Sequence, residues 1–197
     1  MLMHPEILSG RWVRLEPLEA RHDAELQAAC DADPDIWDLY PVNMSGAHYA
    51  GWRAGLQRRV DHGAAIAYAV VVDGRCVGVS TFTLDDPSRR CEIGNTYLHP
   101  EVRGGPVNPE SKLLMLDQAF AAGMNCVQFR VDALNLRSRA AVAKLGARQD
   151  GILRQDRITW TGRVRDTVMF SILRTEWPEV KTRLLARLDG LKTPPAT

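Results

Sequence analysis

The apolar positions of this 197-residue chain change period along its length, and those changes divide it into elements. From Arg11 to Leu18 (RWVRLEPL) they fall at Trp12, Val13, Leu15 and Leu18, which predicts a first strand ended by Pro17. Residues 20–33 place Leu26, Ala29 and Cys30 on one helical face. The link from Asp33 to Asn43 is turn-rich and carries Trp37 and Tyr40. A second helix is predicted from Ser45, its N-cap, to about Val60. From Ile66 the run IAYAVVVDG is nearly continuous apolar, as in a strand covered on both faces. Asp73-Gly74 signals a hairpin into RCVGVSTFTLDDPS, and RCEIGNTYLHP reads as a further strand. A helix follows from Pro109 to Ala122, with Leu113, Leu116 and Phe120 on its inner face and Gly123 at C′.

VQFRVDA alternates, with Val127, Phe129 and Val131 set against Gln128, Arg130 and Asp132, as a half-buried strand does. Residues 135–146 form a short helix ending at Gly146, and two strands flank Thr161-Gly162. An amphipathic helix runs from Glu176 to Leu191, and KTPPAT reads as a frayed tail. The order βααβββαβαββα mixes hairpins with crossovers. It predicts a mixed, mostly antiparallel sheet flanked by helices, in one α/β (α+β) domain over residues 1–197.

Composition narrows the function classes. Hydrophobic residues at 45% and charged residues at 25% are ordinary for a globular domain and exclude disorder. Twenty-five basic residues against 24 acidic ones argue against binding to nucleic acid or to a membrane surface. No apolar run approaches the roughly 18 residues of a membrane span, and the first ten residues lack signal-peptide blocks. Cys30, Cys76, Cys91 and Cys126 are scattered, with neither zinc spacing nor a disulfide framework. The expectation is a reduced, cytoplasmic, metal-free protein.

One loop raises a chemical question. In YLHPEVRGGPVNPESKLLML, Asn108-Pro109-Glu110 is a strong helix start: a preferred N-cap, a proline at N1 and an acid in the first turn. Arg103-Gly104-Gly105 upstream permits close backbone approach. Glycines and an arginine ahead of a helix N-terminus make an anion site, or only a tight turn with an exposed arginine.

Order and spacing resolve that choice by resemblance. Strand, R-G-G loop, helix, strand, and then Asn135-Leu136-Arg137-Ser138 leading to Lys144-Leu145-Gly146-Ala147 resemble the GCN5-related N-acetyltransferase (GNAT) superfamily. CEIGNTYLHP, ESKLLMLxxAF and NxxSxxAxxKLGA are most similar to its branch that acetylates ribosomal-protein N-termini (RimJ/RimL-like). The resemblance implies an acetyl-CoA core from Glu92 to Ala147. Tyr97, Leu98, Arg103, Gly104, Gly105, Val107, Asn108, Asn135 and Ser138 are then its cofactor-binding residues. The family loop reads Q/R-x-x-G-x-G/A; Arg103 matches its first position, while Pro106 and Asn108 replace both later glycines. Pro106 loses an N–H donor, whereas Asn tolerates positive φ and its amide can donate.

Acetyl transfer to an amine needs a base, oxyanion donors and, in some enzymes, an acid for the thiolate. The resemblance makes Glu92 the candidate base, the alternative being a strand carboxylate paired with Arg90 or Arg130. It puts the oxyanion donor at the backbone N–H of Leu98 or close to it. The tyrosine that serves many relatives as acid falls at Val142 and is missing. Ser138 is the substitute the branch suggests, or else a first-turn cap. Trp37 and Tyr40 border the acceptor site by resemblance, or are simply core. His99 reads as a turn residue. Arg154, Arg157, Arg163 and Arg165 read as a solvated edge or, less often, as a patch for an acidic substrate.

The function expected is acetyl-CoA-dependent transfer to a primary amine, on a peptide N-terminus or a small molecule. A noncatalytic CoA-binding module is the runner-up. The partners this reading allows are the amine acceptor and a second copy in a homodimer, with neither nucleic acid nor membrane.

Overall fold

Asp73 and Gly74 both adopt positive φ (49° and 80°), the geometry that suits a two-residue hairpin. They join β3 (Ala65–Val72) to β4 (Arg75–Asp86) in the computed structural model, which describes residues 3–191. The KTPPAT tail therefore lies outside the described residues. The sheet runs β1 (Leu8–Ser9), β2 (Arg14–Pro17), β3, β4, β5 (Arg90–Leu98), β6 (Cys126–Asp132), β8 (Val164–Leu173) and β7 (Arg148–Ile158). Among the described residues all its pairings are antiparallel except β5 with β6.

The apolar run of β3 has two sides with different jobs. Ile66, Tyr68 and Val70 enter the larger core with α3 (Val107–Ala121) and α5 (Trp177–Asp189). Ala65, Ala67 and Ala69 face α1 (Asp23–Asp31) and α2 (Tyr49–Asp61), together with Leu26, Cys30 and Leu56. Alanines on that face leave room for helices to approach closely, so the strand is apolar throughout without being uniform in size. No helix among the described residues is long and apolar enough to cross a membrane.

Boundaries moved where local hydrogen bonding competes with the regular pattern. Residues 20–22 and 46–48 are single 3₁₀ turns ahead of α1 and α2, and residues 34–39 of the link form another. A two-residue strand that the sequence pattern did not show, β1, comes first. The strand expected over residues 11–18 is β2, only Arg14–Pro17, because the amides before it are taken by a side chain. Glu110, in the first turn of α3 and 5% exposed, accepts N–H bonds from Arg11 (2.7 Å), Trp12 (2.7 Å) and Val13 (2.9 Å). Three donors around one carboxylate anchor α3 to the β1–β2 connection. Gly10 is needed beside it, since a Cβ there would lie 2.3 Å from the Glu110 carboxyl carbon.

Removing the Glu110 acceptor strands three amides, each costing about 1–3 kcal/mol if water does not reach it. Glu110→Ala is expected to lower unfolding free energy by about 3 kcal/mol or more in urea titration. Gly10→Ala should also destabilise, because the anchored carboxylate has nowhere to move. A Glu110→Ala loss below about 1 kcal/mol would show that the anchor is dispensable.

Candidate active site

β5 and β6 pair over only three residues, Arg90↔Cys126, Cys91↔Val127 and Glu92↔Gln128. Past Glu92, β5 follows β4 to Leu98, whereas β6 stays with β8 to Asp132. A bulge accompanies the parting. Val79 pairs with Tyr97 and Thr81 with Gly94, so Ser80 alone stands opposite Asn95 and Thr96. Asn95 is left-handed (φ 46°), a conformation asparagine accepts more readily than most residues, and a bulge of this kind bends its strand. The opening holds a cavity of about 280 Å³. Its walls are β5, β6, the start of α3, the 34–41 link, α4 (Leu136–Lys144) and the last hairpin.

The register fixes which backbone groups face that opening. His99 N donates to Val77 O (2.7 Å), so Gly78↔Leu98 is a non-hydrogen-bonded pair, and the N–H and C=O of Leu98 turn away from β4. Leu98 O accepts Arg103 Nε (2.8 Å), and Thr96 O accepts the Tyr40 hydroxyl (2.7 Å). The N–H of Leu98 has no acceptor among the described residues. It is a donor aimed into the cleft with its partner missing.

The loop differs from its sequence reading at one point. α3 starts at Val107 with Pro106 as N-cap, not at Pro109 with Asn108 as cap. Proline's fixed φ (−75° here) already suits a helix start, so Asn108 lies inside the first turn and needs no positive φ. Gly104 is left-handed at φ 81°. The N–H groups of Gly104, Gly105, Val107 and Asn108 have no acceptor among the described residues; they lie at a helix N-terminus, and Gly104 and Asn108 line the cavity.

Arg103 lines the cavity, and its Nη2 is buried with no partner among the described residues, so one donor stays open while the rest of the side chain is held. Its guanidinium is tied to Asp33 and to Leu98 O, and it lies over the Tyr97 ring, 5.2 Å from the centroid. It fastens the loop to the link and thereby sets where the glycines stand.

On the α4 side, Asn135 is the N-cap, accepting the Ser138 N–H (2.9 Å). Ser138 is therefore the capped residue, and its side chain lines the cavity. Val142, at the position of the missing tyrosine, is buried. Across the cleft, Tyr40 lines the cavity and burial pushes its hydroxyl up to about 12, which keeps it a donor at neutral pH. Trp37 is 0% exposed and stacks on Tyr97 (4.7 Å between centroids), so it supports Tyr40 from the core and does not line the cavity.

The hairpin tip is sewn to the link: Trp160 Nε1 donates to Trp37 O (2.9 Å), Trp160 N to Pro41 O (3.1 Å) and Arg163 to Asp38 O (3.1 Å). The arginine cluster is consequently not a simple solvated edge. Arg165 is 3% exposed beside Asp132 (3.8 Å), and Arg157 also lines the cavity. His99 accepts the Glu101 N–H and lies outside the lining.

Glu92 sits where the two strands part, 3.6 Å from Arg130 Nε. Burial raises its carboxyl above the ordinary range, against the pull of Arg130, Arg157, Arg59 and Arg165. It stands six positions before Leu98 on β5, roughly 15–20 Å at about 3.3 Å per residue.

Among the lining residues that sequence reasoning missed, one is a buried cation. Lys112 is 4% exposed, and its Nζ lies 2.8 Å from Ser80 Oγ and 2.6 Å from Thr96 Oγ1. Burial pulls its ammonium down to about 7. The signal in the sequence was a lysine between Ser111 and Leu113 on a face otherwise apolar. No group of three or more His, Cys, Asp or Glu side chains gathers as a metal site among the described residues.

Comparison with known proteins places this geometry. No curated protein sequence matches the chain. Among solved structures, a GCN5-related N-acetyltransferase from Brucella melitensis is 30% identical, with TM-score 0.86 over 95% of this chain and 87% of that one. An acetyltransferase candidate from T. thermophilus is 34% identical, with TM-score 0.84 over 95% and 100%. Mycobacterium smegmatis RimJ, solved in complex with CoA-disulfide, shares the fold at 24% identity, with TM-score 0.80 over 93% and 95%. The acetyltransferase (GNAT) domain model matches residues 13–148, more than half of the chain. The chain belongs to the GNAT acetyltransferase family, and its activity is acyl transfer.

Proposed function

We propose that the protein moves an acetyl group from acetyl-CoA to an α-amine, at a peptide N-terminus or on a small molecule. The observation that carries this reading is the unpartnered Leu98 N–H in the β5–β6 cleft, a donor where an oxyanion would develop. The pyrophosphate would sit on the free amides of Gly104, Gly105, Val107 and Asn108. Asn135 would meet the pantetheine arm, and Leu98 would flank the thioester. Tyr97, expected beside it from the sequence, is 1% exposed in the core with its hydroxyl on Ala29 O (2.7 Å) and does not line the cavity. The likeness to RimJ supports an N-terminal amine as acceptor. The slot for it would lie between Tyr40 and the last hairpin, where Arg157 and Arg165 leave a cationic wall.

The choice of an α-amine rests on proton arithmetic. An amine with pKa near 7.8 is roughly 14% neutral at pH 7, and a lysine at 10.4 only about 0.04%. The difference in attacking species is worth about 3.5 kcal/mol before any contact is made. In this cleft the tyrosine acid is replaced by Val142, and Glu92 stands far from Leu98. Such a site suits the easier nucleophile. We assign Glu92 to balancing the arginines around it.

Three outcomes follow from this reading. In competition at pH 7, a peptide with a free N-terminus should be acetylated far faster than an N-blocked peptide bearing lysine, and the gap should narrow at pH 9. Equal lysine acetylation at pH 7 would contradict the α-amine assignment. Gly104→Ala, which forces a side chain into a left-handed position and redirects the loop amides, should weaken acetyl-CoA by roughly tenfold in calorimetry. An unchanged affinity would remove the loop from the binding site. Glu92→Gln should keep kcat within about tenfold of the parent, whereas a fall of roughly 10²-fold would restore Glu92 as the base.

A further inference from the structure

Lys112 has an environment unlike that of a structural lysine. It projects from α3 beneath the bulge, where Ser80, which faces two residues of β5, and Thr96, one of those two, converge on its Nζ. The two hydroxyls are themselves 2.8 Å apart, closing a triangle. No carboxylate lies within ion-pair distance among the described residues. The charged groups lining the same cavity are Glu92 and Asp132 on the strands and the arginines at 103, 130, 137, 157 and 165. Asp132 is taken by Arg163 and Arg165, and Glu92 stands near Arg130. The remaining titratable neighbour in the cleft, Tyr40, keeps its proton.

Hydrogen counting shows which form fits. An ammonium has three N–H groups for two oxygen partners, leaving one buried donor orphaned; a neutral amine has two, and both are matched. Burial acts in the same direction, bringing the group down to about 7. Between pH 7 and about 10 the unfolded chain therefore holds a proton that the folded chain releases, and stability rises with pH across that window. The fold does not need this ammonium.

Position gives the amine a use. Thr96 lines the cleft and stands two residues before Leu98, about 7 Å along the strand. The Lys112–Thr96 pair thus stands about one bridging water away from the point where the Leu98 N–H would hold the acyl oxygen. Val142 leaves that point without the tyrosine acid, and Glu92 is roughly twice as far away or more.

We propose that Lys112, acting through the Thr96 hydroxyl and a bridging water, carries the proton of the transfer reaction, first taking it from the attacking amine and then giving it to the departing thiolate. The acceptor nitrogen forms a bond to the acyl carbon and sheds one proton, which Lys112 receives as ammonium. The carbon–sulfur bond then breaks, the electron pair leaves on sulfur, and Lys112 returns the proton to give the thiol. The products are the amide and CoA, and Lys112 ends neutral as it began. A carrier near neutrality matches an α-ammonium near 7.8 far better than a lysine near 10.4. This inference rests on the reading of the cleft as the acetyl-transfer site.

The test needs no known acceptor. The thiol of CoA bound to the protein is titrated by thiolate absorbance, in the parent, Lys112→Met and Thr96→Val. In the parent complex the thiol can pass its proton to the neutral Lys112 amine, so thiolate should appear at a lower pH than in Lys112→Met, which has no such acceptor. Identical titrations in two folded proteins that bind CoA equally would overturn the proposal.

A kinetic arm uses alaninamide as the α-amine. The parent rate should rise through a limb near pH 7, and Lys112→Met should lose both the limb and roughly 10²-fold of kcat at that pH. Lys112→Arg keeps the charge but cannot release a proton, so it should restore thiolate and not rate; a fully active arginine variant would likewise overturn the proposal. Should the parent fail to acetylate alaninamide, that failure bears on the acceptor reading, and the thiol titration alone decides the role of Lys112.

Discussion

Everything functional in this protein depends on two strands ceasing to pair. β5 and β6 share three residues of parallel ladder and then part, each remaining bonded to its other neighbour. Unpaired backbone inside a sheet is costly unless something else satisfies it. Here the Tyr40 hydroxyl takes Thr96 O and the Arg103 guanidinium takes Leu98 O. The Leu98 N–H remains for a ligand. The bulge at Ser80, with Asn95 in the left-handed region, bends β5 away from its neighbour without breaking the β4 ladder on either side.

Helix α3 joins the fold to the chemistry in consecutive turns. Its first amides face the cleft, Glu110 ties it to residues 11–13, and Lys112 reaches under the bulge two residues later. Anchoring and function are therefore mechanically coupled: a helix loosened at Glu110 would also shift the amides and the amine. Arg103 extends the coupling to the acceptor side, since Asp33 belongs to the link that carries Tyr40. Trp160 and Arg163 complete the ring by bonding the hairpin tip to that same link.

The elements with strong local signals were legible in the sequence. The Asp73-Gly74 turn, the alternation of Val127, Phe129 and Val131, and Gly123 beyond α3 at φ 92° all stand where pattern placed them. Residues whose role depends on distant partners were not. Arg103 read as a loop arginine because nothing local reveals its tie to Asp33, seventy positions away. Trp37 looked like a lining aromatic until Tyr97 covered it. Glu110 read as a charge in the first helical turn, whereas its partners are about a hundred residues upstream. Lys112 read as one polar position on an apolar helix face, because its burial and its two hydroxyl partners exist only once β5 bulges against β4.

The central claim, that acetyl-CoA occupies the cleft where β5 leaves β6, is tested most directly by amide NMR of the labelled protein titrated with acetyl-CoA. The account predicts the largest shifts at the N–H groups of Leu98, Gly104, Gly105, Val107 and Asn108, with the Leu98 resonance moving downfield as it gains an acceptor. Binding that leaves Leu98 and the loop amides unmoved while perturbing another face would contradict it.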